Sequence, residues 1–296
     1  MASRGLRTRR SEDSAAALRL RLDALYTSFD QPDAVADPVN LVRRYAAPDD
    51  IEVAAFCAAA LAFGRVASVM QSVEAVLAAM APSPAAFVRA FELGEGRRQF
   101  ATFVHRWTRG ADIVALLWIL RQMLERSGSI EGFFAEGDDP FAPDVGPGLD
   151  AFSRRALALT PPGGAPRRGP GVAYFFPCPS SGSGCKRLNL FLRWMVRRDG
   201  VDFGLWTRVT PARLVVPLDT HVIRLGRCLR LTRYQSPGWK MAAEITASLR
   251  ALDPDDPVRY DFSLCHVGMM GACGFGSSRG DVQCPLRGCC RPRRRP

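Results

Sequence analysis

Apolar residues recur at helical spacing along most of the chain, and this periodicity limits the fold more than any other feature of the sequence. Side chains three or four positions apart share one helix face, so this spacing is typical of amphipathic helices. The periodic segments are 15–28, 50–63, 66–80, 84–94, 111–126, 129–135, 149–158, 185–197, 220–230, 238–251 and 257–272. Alternation with period two extends over only a few residues at a time. The sequence therefore predicts an all-α protein.

The segment 137–184 departs from this pattern because it is rich in Pro, Gly and Ser. Apart from helix 149–158 it is predicted to be a long loop, and loops of this length are usually functional or disordered. The sequence has no run of about 18 apolar residues, the length that a membrane span needs. Ser11, Glu12 and Asp13 stand where a signal peptide would have its apolar core. We therefore expect a cytoplasmic protein with no membrane partner.

The formal net charge of +11 is distributed unevenly. Eight arginines lie within the two ends, 4–10 and 291–295. In the body of the chain, residues 186–240 hold twelve Lys or Arg against three Asp. A face that binds a phosphate backbone would carry such an excess. A solvated, arginine-rich helix surface would carry it equally well, so the charge alone leaves both interpretations open.

Two short units combine residue types that can do chemistry. In the first, Gly182-Ser183-Gly184 leads into a helix that starts near Lys186. Glycines at such a junction let backbone N–H groups approach a phosphate, although an ordinary turn has the same composition. In the second unit, Asp219 stands at the start of helix 220–230. An N-cap is the simplest role for an aspartate at that position.

Together the two units resemble the helix-hairpin-helix DNA glycosylases, of which endonuclease III is an example. The hairpin of that superfamily reads Gly-x-Gly-x-Lys-x-x-Asn-x-x-Leu, which is matched here by Gly182, Gly184, Lys186, Asn189 and Leu192. The segment with its catalytic carboxylate reads Val-Asp-Thr-His-hydrophobic-x-Arg, which is matched from the aspartate onward by Asp219, Thr220, His221, Val222 and Arg224. The whole chain also resembles an uncharacterised bacterial family within this superfamily.

The resemblance implies a base-excision repair enzyme, a DNA glycosylase that also cleaves the strand at abasic sites. Lys186 would attack the sugar as nucleophile and form a Schiff base, and Asp219 would orient and deprotonate it. The residues expected to grip the DNA backbone are Gly182, Gly184, Arg187, Arg193 and Arg224. Arg65 would fill the vacated base stack. Asp261 and Trp206 are candidates for the pocket of the extruded base, with helix capping and core packing as their alternatives.

The same resemblance implies two helical domains with DNA in the cleft between them. A barrel-like domain is expected over 40–215, with the hairpin near 180–198. Residues 15–39 and 216–296 would form the second domain. The predicted partner is double-stranded DNA with a damaged base, bound by a monomer in the bacterial nucleoid. A non-catalytic binder of damaged DNA and an RNA-binding protein stay open as alternatives.

Both ends of the chain carry further predictions. Residues 1–14 are expected to be a basic, disordered tail. Endonuclease III holds a [4Fe–4S] cluster after its last helix with four cysteines spaced C-x6-C-x2-C-x5-C, and Cys273, Cys284 and Cys290 match three of them. Cys265 could supply the fourth ligand if its helix ended early. An iron–sulfur cluster, a zinc site and a degenerate tail stay open, and the incomplete set favours the degenerate tail.

Overall fold

The computed structural model describes residues 2–31, 37–161, 171–270 and 284–290. Within these ranges the chain forms thirteen α-helices and one two-stranded hairpin, so the predicted all-α class is confirmed. The α-helices are α1 (Ala2–Phe29), α2 (Val39–Val42), α3 (Pro48–Leu61), α4 (Val66–Ala79), α5 (Pro84–Arg89), α6 (Leu93–Gln99), α7 (Gly110–Ser127), α8 (Ile130–Ala135), α9 (Gly146–Ala158), α10 (Lys186–Val196), α11 (Thr220–Cys228), α12 (Trp239–Arg250) and α13 (Asp261–Met269). The hairpin pairs β1 (Val104–His105) with β2 (Thr108–Arg109) in antiparallel register. Short 3-10 helices span Gly171–Phe175, Pro179–Ser181 and Pro211–Arg213.

The structure differs from the sequence prediction at three places. Helix α1 begins at Ala2, so the segment 1–14 that was expected to be a disordered tail is helical from its second residue. The chain contains no Gly or Pro between Leu6 and Phe29 that would end this helix. The expected helix 84–94 is divided into α5 and α6. The hairpin β1–β2 was not predicted, because its strands of two residues are too short to show a period of two.

Helix α3 lies at the centre of the core. Every residue from Ile51 to Leu61 is buried, so this helix is covered on all sides. It packs against α2, α4, α5 and α10. Pro48 occupies its first turn, where a missing N–H costs nothing. Asp50 lies in the same first turn, and its Oδ1 accepts hydrogen bonds from the Ser83 hydroxyl at 2.6 Å and the Ala85 N–H at 2.9 Å.

The buried apolar residues form one continuous cluster that runs from Leu22 in α1 to Leu286 near the end of the chain. Helix α13 connects the N-terminal helix α1 to the C-terminal third of the chain, because it packs on both α1 and α11. The cluster crosses the boundary at 215/216 that the resemblance implies. The division into two domains therefore stays a prediction. Among the described residues, every helix is too short or too polar to cross a lipid bilayer.

Candidate active site

A tight loop leads from the 3-10 helix Pro179–Ser181 into α10. Gly182 has φ 85°, in the left-handed region that glycine enters without a Cβ clash. Its carbonyl accepts a hydrogen bond from the backbone N–H of Trp239 at 3.2 Å. A Cβ on Gly184 would come within 3.4 Å of the Leu218 side chain. Gly182 therefore meets a backbone requirement, whereas a Cβ on Gly184 would make only an ordinary van der Waals contact.

Lys186 is the first residue of α10 and is half-buried. Its Nζ donates a hydrogen bond to the carbonyl of Ala62 at 2.9 Å. Ala62 directly follows α3, where the last carbonyls of the helix have no partner in the next turn and carry partial negative charge. The amine is therefore held between the end of one buried helix and the start of another.

Asp219 is the N-cap of α11, and its Oδ1 accepts the Val222 N–H at 2.7 Å. Its Oδ2 accepts a hydrogen bond from the Cys265 thiol at 3.1 Å. Burial and the neighbouring Asp219 carboxylate raise the pKa of the Cys265 thiol well above its usual value, so the thiol keeps its proton and donates. The capping role is therefore present, and Cys265 fixes the second oxygen of the same carboxylate.

Lys186 and Asp219 line one cavity of about 440 Å³. The structure thus brings the two predicted catalytic residues to the same space, and it adds Asp261, the predicted base-pocket residue. Helices α4, α10, α11 and α13 supply the walls. The apolar part of the lining includes Phe63, Val69, Leu190, Ile223 and Met269.

The buried ion pair of Arg193 with Asp261 forms part of this cavity wall, and a second carboxylate, Asp202, holds Arg193 from outside the lining. Arg193 donates from Nη1 to Asp261 Oδ2 at 2.6 Å and from Nε to Asp202 Oδ1 at 3.2 Å. Arg193 and Asp261 are each only 3% exposed. Burial raises the pKa of Asp261 to about 7; Arg193 opposes this rise and Asp219 adds to it. The carboxyl of Asp261 therefore changes its charge near neutral pH.

His266 completes the polar wall, one helical turn beyond Phe262. Its Nδ1 lies 2.8 Å from the Phe262 carbonyl, which can only accept, so Nδ1 carries a proton. Burial lowers the pKa of His266 and favours the neutral ring. In the neutral ring the other nitrogen, Nε2, is a hydrogen-bond acceptor.

A second, smaller cavity of about 250 Å³ lies on the other side of Lys186. Its lining includes Ser183 and Gly184, from the loop before α10, and Arg187, from the first turn of that helix. Lys186 and Phe63 line both cavities. Lys186 therefore lies between the smaller cavity, beside the loop before α10, and the larger cavity, which is lined by Asp219.

Two arginines that were expected to grip DNA are not on the surface. Arg187 is 8% exposed, donates to the Tyr174 carbonyl and lies over the Tyr174 ring, and burial lowers its pKa to about 10. Arg193 is bound to Asp202 and Asp261 as described above. A guanidinium that is buried and held by such contacts cannot reach a phosphate without unfolding its surroundings. Arg224 and Arg65 are exposed, and Arg65 is the N-cap residue of α4 beside the cavity-lining Gly64 and Val66.

Trp206 is a core residue and does not contribute to the lining of either cavity. It is 4% exposed, and its Nε1 donates to Glu52 Oε1 at 2.7 Å. Its ring packs edge-on against Phe191 at 5.3 Å between centroids. The core interpretation of Trp206 is correct, and its assignment to the base pocket is wrong.

An aromatic group at the cavity rim was missed by the sequence reasoning. Trp107 lies in the turn of the β1–β2 hairpin, is 43% exposed, and stacks on Phe63 at 5.1 Å between centroids. Arg106, in the left-handed conformation with φ 55°, places its guanidinium 5.0 Å from the Trp107 ring. His105 ties the hairpin to the Phe63 carbonyl at 2.9 Å. An exposed Trp-Arg pair thus stands next to a residue that lines both cavities.

Three cysteines of the predicted ligand set, Cys265, Cys284 and Cys290, lie within the described residues. Cys265 faces Asp219, whereas Cys290 lies with its sulfur 3.3 Å from that of Cys228, a residue outside the predicted set. Cys284 is buried, and Cys273 lies outside the described residues. Among the residues that the structure does describe, no group of three potential ligands is arranged to hold a metal ion. The cluster and the zinc site stay predictions.

The protein is therefore helical, and it has a lysine and an aspartate that line one cavity next to the glycine-containing loop before α10. A family model described as a protein of unknown function, DUF2400, matches residues 37–270. This match covers more than half of the chain, including both cavities, and the chain belongs to that family. Comparison with curated proteins and with solved structures found no match.

Proposed function

We propose that this protein is a DNA glycosylase that also cleaves the strand at abasic sites, with Lys186 as nucleophile. The observation that carries the proposal is the shared cavity, where a primary amine and a carboxylate face one space of about 440 Å³. Pockets that bind small molecules have volumes of roughly 300–1,000 Å³, and an extruded nucleotide is a ligand of the size that such pockets hold. The hairpin motif and its order relative to Asp219 supply the link to DNA.

The lysine content of the chain supports a chemical role for Lys186. Only two of its forty basic Lys and Arg residues are lysines, Lys186 and Lys240. Arginine stays protonated in proteins and cannot act as a nucleophile, whereas a lysine amine can lose its proton. Lys240 is exposed on α12 and lines neither cavity. Of the two lysines, the one that lines the cavity therefore stands where an arginine could not act as a nucleophile.

The proposed reaction uses the two residues in sequence. The Lys186 amine leaves the Ala62 carbonyl and attacks C1′ of the extruded deoxyribose, while the bond from C1′ to the base breaks and the base departs with its electron pair and takes a proton from water. Asp219 accepts the proton that the amine releases and stabilises positive charge at the sugar. Asp219 then passes this proton to O4′ as the bond between C1′ and O4′ breaks, which leaves C1′ joined to the Lys186 nitrogen as a protonated Schiff base. Water accepts a proton from C2′, and β-elimination breaks the bond from C3′ to oxygen, so that the 3′ phosphate departs with its electron pair.

Borohydride reduction on abasic-site DNA tests this proposal directly. We expect a covalent protein–DNA adduct with the full chain, because reduction converts the Schiff base into a stable amine. Lys186→Gln should abolish the adduct, and Lys240→Gln, the matched control with the only other lysine, should retain it. Asp219→Asn should reduce its rate by about 10²-fold or more, the usual contribution of a general base.

Two outcomes would overturn the proposal. An adduct that survives in Lys186→Gln would locate the nucleophile elsewhere, for instance at the N-terminal amine. DNA binding without any adduct, equal in the parent protein and in Lys186→Gln, would instead identify a non-catalytic binder of damaged DNA.

A further inference from the structure

Four residues that line the cavity have a buried polar atom without a partner in the part of the chain that the structure describes, and three of them, Arg193, Asp261 and His266, form the polar wall described above. Among the described residues, no hydrogen-bond partner lies within reach of Arg193 Nη2, Asp261 Oδ1 or His266 Nε2. Their residues are 1–3% exposed, and all three line the cavity that contains Lys186 and Asp219. Buried polar atoms are nearly always paired, and each unpaired one costs free energy. Three of them on one wall form a set of positions that a bound ligand or ordered water would satisfy.

The donor or acceptor character of each atom follows from its other contacts. Arg193 Nη2 can only donate, because a guanidinium has no acceptor. Asp261 Oδ1 accepts when the carboxyl is ionised, and its companion Oδ2 is already held by Arg193 at 2.6 Å. His266 Nε2 accepts, since Nδ1 carries the ring proton. The wall thus offers one donor and two acceptors.

A base that pairs with this wall must present one acceptor and two donors, and the nucleobases differ in how many of each they carry. The Watson–Crick edge of guanine presents one acceptor, O6, and two donors, N1–H and the 2-amino group. Adenine presents one donor and one acceptor, and cytosine and uracil each present two acceptors and one donor. The fourth unpaired atom, His221 Nδ1, lies against Gly268 of α13, where a Cβ would come within 2.9 Å of it, so it is not counted in this set.

We infer that the cavity selects a guanine-type base, whose Watson–Crick edge pairs with Arg193, Asp261 and His266. The inference rests on the proposed function for its link to DNA and deepens it by naming the class of base. O6 accepts from Arg193 Nη2, and the two donors of the base meet Asp261 Oδ1 and His266 Nε2. The apolar residues Phe63, Leu190 and Phe262 line the same cavity and suit the faces of a flat ring.

Direct binding of methylated bases tests this inference without any catalytic step. The probes are 9-methylguanine, 9-methylhypoxanthine and 9-methyladenine, in which the methyl group stands where the sugar would be attached. Ligand-observed NMR with the full chain at pH 8, where the Asp261 carboxyl is ionised, measures each dissociation constant. We expect 9-methylguanine to bind at least about tenfold more tightly than 9-methyladenine, with 9-methylhypoxanthine between them because it lacks one donor.

Two variants separate recognition of the base edge from a general effect on the wall. Asp261→Asn should bring the guanine-to-adenine ratio close to one. Asp202→Asn is the matched control, since it removes the other carboxylate partner of Arg193 but does not line the cavity, and the ratio should persist. The ratio is taken within one protein sample, so a partly folded variant still gives an interpretable value.

Failure of this inference is distinguishable from failure of the proposed function. Equal binding of the three probes, or binding that prefers 9-methyladenine, would overturn the guanine assignment even if abasic-site DNA is trapped. Selective binding of 9-methylguanine with no trapped adduct would support the assignment and would refute the lyase chemistry instead.

Discussion

Asp261 connects the stability of the protein to pH. In an unfolded chain an aspartate has a pKa of about 4, whereas burial raises the pKa of Asp261 to about 7 in the folded protein. Between these values the folded state binds the extra proton. Stability contributed by this proton is present below the unfolded pKa, declines as the pH rises, and is lost above the folded pKa.

Asp261→Asn should therefore become progressively more stable relative to the parent protein as the pH rises. We expect the difference in unfolding free energy to move in favour of the variant by roughly 2 kcal/mol between pH 5 and pH 8. Urea denaturation at several pH values measures it. Asp255→Asn, at an exposed position, should give a difference that hardly changes. A constant difference for Asp261→Asn would show that this carboxyl is ionised throughout.

At the scale of single elements, the β1–β2 hairpin is the surface feature that most directly adjoins the site. Trp107 is exposed at its turn and stacks on Phe63, which lines both cavities. An aromatic ring at this rim can stack on a base next to the extruded nucleotide, and stacking of this kind contributes about 1–3 kcal/mol.

Trp107→Ala should accordingly weaken binding of abasic-site duplex DNA by about tenfold or more. The salt dependence of binding should stay the same, because no positive charge is removed. Fluorescence anisotropy at two salt concentrations measures both quantities. Trp118→Ala, which removes a half-buried tryptophan of α7 outside the cavity lining, is the control. Equal affinities for the two variants would exclude the hairpin from the DNA surface.

The elements also show which features could be predicted from the sequence. The helices were predictable because their apolar faces repeat locally, and the Gly182–Lys186 unit and Asp219 were found because each lies within a short motif. The partner of a charged side chain is not a local property. Arg193 and Arg197 looked like part of a basic surface, but Arg193 pairs with Asp261, 68 positions away, and Arg197 with Asp256, 59 positions away. The polar wall was missed for the same reason.

At the scale of the whole molecule, these long-range pairs cross the boundary that the resemblance implies between two domains. Arg193 lies in α10 and Arg197 is the C-cap residue of that helix, whereas Asp256 and Asp261 belong to the second predicted domain. The apolar cluster is continuous across the same boundary. Separating the two parts would leave buried charges without partners, which costs several kcal/mol for each pair that is broken.

The chain should therefore unfold as one cooperative unit rather than as two. Leu117 in α7 and Leu249 in α12 lie on opposite sides of the boundary, and both are fully buried. Replacing either with alanine should cost about 2–5 kcal/mol. In hydrogen-exchange mass spectrometry across a urea series, Leu117→Ala should lower the unfolding midpoint of peptides from α7 and α12 by the same amount, and Leu249→Ala should do likewise. If each substitution shifted only the peptides on its own side, the two parts would be separate folding units, and the ion pairs of α10 would act as a breakable contact between domains.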